Sequence, residues 1–470
     1  QIINLAKRSI ATGEAMDAED DHLGALVWYA DAIGLAAKDL SIQSKYQAVF
    51  KTKLDNAIKL RYSHNIGEPI SYARLLPGGT KSLVVTKNGN NMQQKENHVY
   101  IVDLTSGDKR MVCSVNGLIE GATMNKQRTA FAFLENKVRT YHVVNLETAK
   151  ETYKRQSAFS NIKPPVFTAD GNHLIVGGSM ENRGANISVV NLTDNKEVAS
   201  KDFTGWLANF HSVGGADIGF LVNEFSGVDK FISVIWSWNS GKENILFNGE
   251  GNEGVIARSL VDERKENIIA HTIDFPNNNF SQPSPKQVSY VQVLEKEGKE
   301  VVYSTSKKKQ RIRLYALSPN SKHLALARDD GGVEMHDMDR LAMIWESEPE
   351  QIIGGGVKSL DFSPDGTMVL VTGGSNNVGL WESATGRLIS SNLKHYDILA
   401  MGSWNETGNA FVTATRKGEI RLYQISNPQG ANYLTEVPMS PETAKAIAAV
   451  LSNRAIQEGR IVSFDGSSTN

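Results

Sequence analysis

The sequence predicts a mainly β fold, an eight-bladed β-propeller, with an N-terminal α-helical segment and a short C-terminal helix. Three observations carry this reading. The texture of the chain changes near residue 66, a strand-and-turn unit of about 45 residues recurs beyond that point, and a second turn marker recurs in step with it. Before the change, apolar residues return at helical spacing; after it, short Val/Ile/Leu-rich runs are broken by Gly, Asn, Asp and Ser.

The helical elements come first. Ile2 to Met16 and His22 to Lys38 read as two amphipathic helices, the second carrying Leu23, Leu26, Val27, Ala30, Ile33 and Ala37. The acidic turn Asp17 to Asp21 offers N-cap carboxylates to the second helix. It lacks the spacing and central glycine of a calcium loop. Ser41 opens a third helix with Ile42, Tyr46, Val49, Phe50, Ala57 and Ile58. Each helix has one apolar stripe and too little core of its own, so the three need a shared surface to pack on. Ile58 to Tyr62 reads as a strand that joins the last blade and fastens the ring. Near the other end, Ser440-Pro441-Glu442 signals the start of a helix whose body is Ala444 to Leu451.

The best-preserved repeat runs Val357 to Gly366, then Met368 to Gly373, then Val378 to Glu382, and ends at Thr385-Gly386-Arg387. Its third strand closes on a polar residue. That position recurs as Asp103, Asn145, Asn191, Ser237, Gln292, Asp337, Glu382 and Gln424, at spacings of 42, 46, 46, 55, 45, 45 and 42 residues. The long interval holds the Asn/Pro/Ser-rich insertion Phe275 to Pro285. The turn before each second strand keeps the same phase, from Pro77-Gly78-Gly79 through Pro364-Asp365-Gly366 to Glu406-Thr407-Gly408. A unit of this size is one four-stranded sheet that cannot bury both faces alone, so sheets stacked around an axis create the core between neighbours. Closure of the ring also removes exposed edges. A seven-bladed ring is the alternative, if Val255 to Val293 forms an elaborated connection. The chain divides accordingly into a helical segment at 1–62, a propeller at 63–436 and a helix with tail at 437–470.

Phe362-Ser363-Pro364-Asp365-Gly366 and Leu380-Trp381-Glu382 resemble the WD-repeat family, and the likeness extends in degenerate form over residues 60 to 436. No unit keeps a literal Trp-Asp pair, and the Gly-His dipeptide is absent. The leader Leu23 to Leu35, followed by a third helix and Arg61-Tyr62-Ser63-His64, is similar to the entry into the propeller C-terminal to the kinase domain of bacterial, planctomycete-type, multidomain serine/threonine kinases. It also resembles the second helix of a tetratricopeptide unit. These likenesses imply a non-catalytic protein- or peptide-binding scaffold within a larger signalling or assembly protein. A structural component of a stable multiprotein complex is the alternative.

Composition narrows the remaining classes. With 40% hydrophobic and 22% charged residues the chain is globular in balance, and its net charge of −2 creates no global field for nucleic acid or an anionic surface. No sequence-specific nucleic-acid binding is expected, and no apolar run is long enough for a spanning helix. The lone Cys113 excludes an intramolecular disulfide and a cysteine-based metal site. Gln1 as the first residue reads as the start of a fragment or a processed form. Gly249-Glu250-Gly251-Asn252-Glu253-Gly254 matches a Gly-x-Gly-x-x-Gly string, but its glutamates occupy the place of an anion and a strand follows it. A kinase catalytic set is absent. The ten histidines are scattered, and Trp345 alone occupies the docking place that a quinoprotein propeller would fill in every blade. No catalytic residue, cofactor or metal is therefore expected.

What remains is a set of cations. Lys307, Lys308, Lys309 and Arg311 lie where one unit passes to the next, and in a propeller that connection shares a face with the loops after second strands, which carry Lys87, Arg183, Arg328 and Arg416. Phe275 and Phe280, in a long loop on the same face, add exposed apolar anchors. Gathered at one rim, these residues would hold an acidic or phosphorylated protein or peptide.

Overall fold

In the computed structural model of the chain the described residues are 2–18, 22–56, 58–88, 96–181, 184–225, 229–250, 255–262, 267–274, 288–295, 300–305, 311–347, 356–374, 376–425, 441–452, 454–457 and 460–463. Eight four-stranded antiparallel sheets follow one another along the chain. Blades 1 to 7 take residues 70–115, 119–156, 161–204, 206–250, 255–304, 312–346 and 357–394, each with its strands paired in sequence order. First strands of neighbouring blades meet, which puts them next to the axis. Residues 255–304 form a complete blade, so the ring is eight-bladed.

Blade 8 is built from both ends of the propeller. Its three inner strands come from residues 399–425, and its outer strand is Ile58–Asn65. That strand pairs antiparallel with Glu419–Ile425, from Ile58 opposite Ile425 to Asn65 opposite Glu419. The pairing covers the edge that the last repeat would otherwise leave open. The segment that leads from it into blade 1 is held by Glu68, which accepts hydrogen bonds from Asn88 (2.9 Å) and Tyr100 (2.7 Å) and meets His98 Nδ1 at 2.6 Å. Burial alone would raise this carboxyl, but bonds from His98, Asn88 and Tyr100 outweigh it and hold the pKa at about 2.

The core consists of layers between blades. Ala73 and Leu75 of blade 1 pack with Val412 and Leu422 of blade 8. Val85 and Val99 pack with Phe131 and Phe133 of blade 2. The succession continues through Leu134 with Leu174, Ile187 with Phe220, Ile235 with Ile268, Val291 with Leu324, Met335 with Val369, and Leu380 with Phe411. Every adjacent pair of blades shares a layer. Trp381 is the last residue but one of the third strand of blade 7, is 4% exposed and packs in the layer facing blade 6. There it meets Trp345, whose Nε1 donates to Ser383 O at 2.8 Å.

Seven of the eight polar markers stand at or beside the ends of third strands. Gln292 does not. It lies inside its strand opposite Ala270, and Glu295 takes the equivalent place, its N–H donating to Glu300 O as Asp103 N–H donates to Asp108 O.

The helices are α1 (Ile2–Ala18), α2 (His22–Leu35), α3 (Leu40–Asn56) and α4 (Pro441–Ser452). They share one core in which Leu26, Tyr29 and Ile33 of α2 meet Ala6 of α1, Phe50 of α3, and Ala444 and Ala448 of α4. Gly13 permits this approach, because a Cβ there would sit 2.8 Å from the Tyr29 ring. A hairpin of Arg454–Gln457 and Arg460–Ser463 follows α4 and was not foreseen from the sequence. The acidic turn loses Glu19, Asp20 and Asp21 to the stretch outside the described residues. Among the described residues no helix is long and apolar enough to cross a membrane.

Replacement of Trp381 by Ala removes the ring from a layer between two blades and is expected to cost about 3–5 kcal/mol, read from urea or thermal unfolding. An unchanged midpoint would show that the inter-blade layers do not hold the ring together.

Candidate partner-binding face

One face of the ring is marked by two recurring features. Each innermost strand carries a bulge near its start, as between Ile70 and Tyr72, Leu207 and Asn209, Ile312 and Leu314, Val357 and Ser359, and Leu399 and Met401. A bulge leaves one residue out of the ladder and re-aims its side chain. In blades 6 and 7 that residue is a cation, Arg313 and Lys358. The second feature is a bond between loops: the residue after the second strand donates its N–H to the carbonyl of the residue before the first. It joins Lys87 to Pro69 (2.8 Å), Asn136 to Leu118 (3.1 Å), Asp329 to Arg311 (2.9 Å), Gly374 to Gly356 (2.7 Å) and Arg416 to Ile398 (2.9 Å). These bonds hold both loops of a blade beside its bulge.

Among the described residues, cations collect on this face in blades 5 to 8. Arg258, Arg311, Arg313 and Arg416 are exposed and Lys358 is half-buried. Arg313 Nη1 contacts Asp329 Oδ1 at 3.1 Å. Burial first, then the charges of Arg313 and Arg416, hold the Lys358 ammonium below the ordinary lysine range, with Asp329 in part opposing them. Two blades earlier, burial followed by Arg258 and Arg311 depresses His271 to about 3. The cations thus lie within electrostatic reach of one another across three blade boundaries, although they are far apart in sequence.

The sequence-derived set fares unevenly. Arg311 and Arg416 belong to this arc. Lys87 is exposed at the position of blade 1 that Arg416 holds in blade 8. Arg183, Phe275, Phe280, Lys307, Lys308 and Lys309 lie outside the described residues.

Arg328 must be withdrawn from the rim. It is the last residue of its strand, equivalent to the buried Thr86 and Thr415, and it is 3% exposed. Asp329 takes the outward place instead. A shift of one residue along a strand reverses the face of the side chain, and here it sends a guanidinium inward. Arg328 Nη1 donates to Glu334 (2.6 Å) and Glu346 (2.7 Å), and Nε donates to Asp330 (3.2 Å). Burial lowers its pKa, and the bond to Glu334 with the charges of Asp330, Glu334 and Glu346 more than restores it. The network runs on through Glu334 to His336, and His336 Nδ1 meets Tyr303 Oη at 2.9 Å. Gly332 makes room for it, because a Cβ there would come within 2.0 Å of Arg328 Nη2.

Three members of the arc were not among the sequence-derived site residues. Arg258, Arg313 and Lys358 occupy innermost strands, and a bulge cannot be read from apolar alternation alone. A positioning residue was missed as well. His395, in Lys394-His395, stands in the loop before blade 8 where a Gly-His pair was sought. Its Nε2 meets Thr413 Oγ1 at 2.7 Å and its Nδ1 meets Glu419 Oε2 at 2.9 Å, which ties this loop to the second and third strands of the blade carrying Arg416.

Elsewhere, His142 lies between Glu151 (2.5 Å) and Glu135 (3.3 Å) in a cavity of about 320 Å³ that also holds Cys113. Burial, then both glutamates, push the Cys113 thiol up to about 12, which leaves it a poor nucleophile. Among the described residues no group of three His, Cys, Asp or Glu side chains gathers as a metal site.

The geometry defines a closed eight-bladed propeller with a basic arc at one mouth of its axis. Residues 315–402 match the WD40 domain of anaphase-promoting complex subunit 4. Similar solved structures include the Dos1 propeller, with 10% identity, TM-score 0.56 and coverage of 78% of this chain and 96% of that one. The C-terminal WD40 domain of Sif2 has 11% identity, TM-score 0.54 and coverage of 78% and 99%. The computationally designed protein Ika8 has 12% identity, TM-score 0.55 and coverage of 78% and 100%. At these identities the likeness concerns the fold. No curated protein sequence matches the chain.

Arg328 and Arg416 give opposite expectations. Arg328→Ala leaves Glu334 buried without its guanidinium and is expected to cost about 3–5 kcal/mol. Arg416→Ala removes an exposed side chain and should stay within about 0.5 kcal/mol. Chemical unfolding of the two variants distinguishes them, and equal costs would contradict the placement of Arg328.

Proposed function

We propose that the chain is a non-catalytic protein- or peptide-binding module whose basic arc receives an acidic or phosphorylated segment of a partner. The observation that carries this reading is the gathering of Arg258, Arg311, Arg313, Lys358 and Arg416 around one mouth, with Lys358 acted on by two cations and one carboxylate. An anionic segment laid across the mouth relieves that repulsion and gains charge-assisted hydrogen bonds. Inner strands present Arg258, Arg313 and Lys358, and loop-to-loop bonds hold Arg311 and Arg416 beside them, so little backbone ordering is needed at the moment of binding. The finer reading, a module within a larger bacterial signalling polypeptide, rests on the leader's likeness to kinase-associated propellers.

A second reading has one observation behind it. The match to a domain of a named complex subunit favours a fixed structural component, and co-purification in a stoichiometric assembly would distinguish it from a transient binder.

An array of acidic and phosphorylated peptides tests the first reading. Peptides retained by the wild-type chain should bind the Lys358→Ala/Arg416→Ala variant more weakly, by about 1–3 kcal/mol for each charge-assisted hydrogen bond that the substitutions remove. Their affinity should also fall as salt shortens the screening length to about 8 Å at physiological ionic strength. Retention that is indifferent to both the substitutions and salt would remove the basic arc from the account.

A further inference from the structure

The turns between first and second strands lie at the opposite ends of the innermost strands from the bulges. In blades 1, 3, 7 and 8 the left-handed position of this turn is a glycine: Gly79 (φ 70°), Gly171 (φ 74°), Gly366 (φ 73°) and Gly408 (φ 72°). Blade 2 places Arg128 there at φ 56°. A bulky residue in this conformation is strained, so its presence calls for a compensating interaction. Arg128 Nη1 donates to Leu75 O of blade 1 at 2.9 Å and to Trp404 O of blade 8 at 3.0 Å. One side chain from blade 2 thereby reaches two other blades at the turn-side end of the axis.

The ends of neighbouring first strands supply the rest of the cluster. Arg74 precedes Leu75 and acts on Arg128 as a like charge, adding to burial in lowering the Arg128 pKa. Asp361 of blade 7 acts on both arginines, but its Oδ2 is already engaged by the Trp404 N–H at 3.1 Å. Glu406 acts on Arg128 as well. Tyr72 is 9% exposed. Its Oη and Arg74 Nε lie close enough to perturb each other, yet each is buried without a hydrogen bond of acceptable geometry. Burial raises the Tyr72 pKa, so the phenol keeps its proton and can donate. Tyr72 and Asp361 outweigh burial and raise the Arg74 pKa, so the repulsion between the two guanidinium groups falls on Arg128, and donors left without an acceptor in a buried place are costly.

We propose that Arg74, Arg128 and Tyr72 form a site at the turn-side end of the axis for a phosphate-class oxyanion, either inorganic phosphate or a small phosphate monoester. Arg74 Nε, the Arg128 guanidinium and Tyr72 Oη place donors of two blades together. Phosphate carries up to two negative charges to set against the two guanidinium groups, where a carboxylate carries one, and its oxygens can accept from all three donors. The anion also neutralises the opposed guanidinium pair.

Titration calorimetry and thermal unfolding of the full chain test the site, with inorganic phosphate and phenyl phosphate as probes and acetate and sodium chloride at matched ionic strength as controls. Phosphate should bind and raise the melting temperature, and phenyl phosphate does the same if the site admits an ester. Tyr72→Phe keeps the ring against Phe131, at 6.1 Å between centroids, and should weaken phosphate binding about tenfold or more, as expected when a bond to a charged group is removed. Arg74→Gln should abolish it, while Lys358→Ala at the other mouth should leave it intact, which separates this site from the basic arc. The proposal is overturned if phosphate acts no differently from acetate and chloride, if Tyr72→Phe binds phosphate as well as the wild type, or if Lys358→Ala abolishes binding.

Discussion

A sheet with two apolar faces is stable only between two other sheets, and this requirement governs the molecule. Each blade buries residues such as Leu134, Ile187, Val291 and Leu380 against its neighbours. A row of such sheets has two unsatisfied ends, and a ring has none. The ring must then be closed by chain that is not part of the repeat order, because the last repeat supplies three strands. Ile58–Asn65 provides the fourth. The hydrogen-bonded Glu68 fastens the turn from that strand into blade 1, so the seam is held on both of its sides.

Function follows from the repetition that closure imposes. Equivalent positions in eight similar sheets lie on circles about one axis, and the bulge and the loop-to-loop bond select one circle for display. The same strand alternation that places Arg416 outward places Arg328 inward, one residue earlier in its blade. A buried arginine with three carboxylates and an exposed arginine beside Lys358 are thus products of the same backbone, separated by a single step in register. The opposite end differs in kind, since there Tyr72 is buried against Phe131 and Arg128 bonds to backbone carbonyls of blades 1 and 8.

Much of the architecture was legible because it repeats. Trp381, the Pro364-Asp365-Gly366 turn and the closing strand each satisfy a requirement that the sequence states more than once or that the ring leaves open. The site was less legible, for physical reasons that differ by residue. Arg313 and Lys358 are displayed by bulges, which insert a residue that strict alternation does not foresee. Arg328 looked like its neighbours in spacing but lies on the other face of the ladder. His395 is preceded by lysine instead of glycine, so its loop-anchoring geometry escaped a dipeptide search. Gln292 was misplaced because the insertion from Phe275 to Pro285 disturbed the interval by which the marker was counted. Arg128 carries no signal at all, because Asn125-Lys126-Gln127-Arg128 lacks the glycine that announces the same turn in other blades.

Amide hydrogen exchange on Glu419–Ile425 tests the closure claim most directly. In the full chain these amides should be as protected as those of Asn377–Glu382, the corresponding strand of blade 7, because both strands are paired on two sides. Removing residues 1–65 leaves Glu419–Ile425 paired on one side, so its outward amides should exchange fast, the melting temperature should fall and the exposed edge should promote association between chains. A truncated chain that stays monomeric, keeps full protection along Glu419–Ile425 and melts as before would contradict the account.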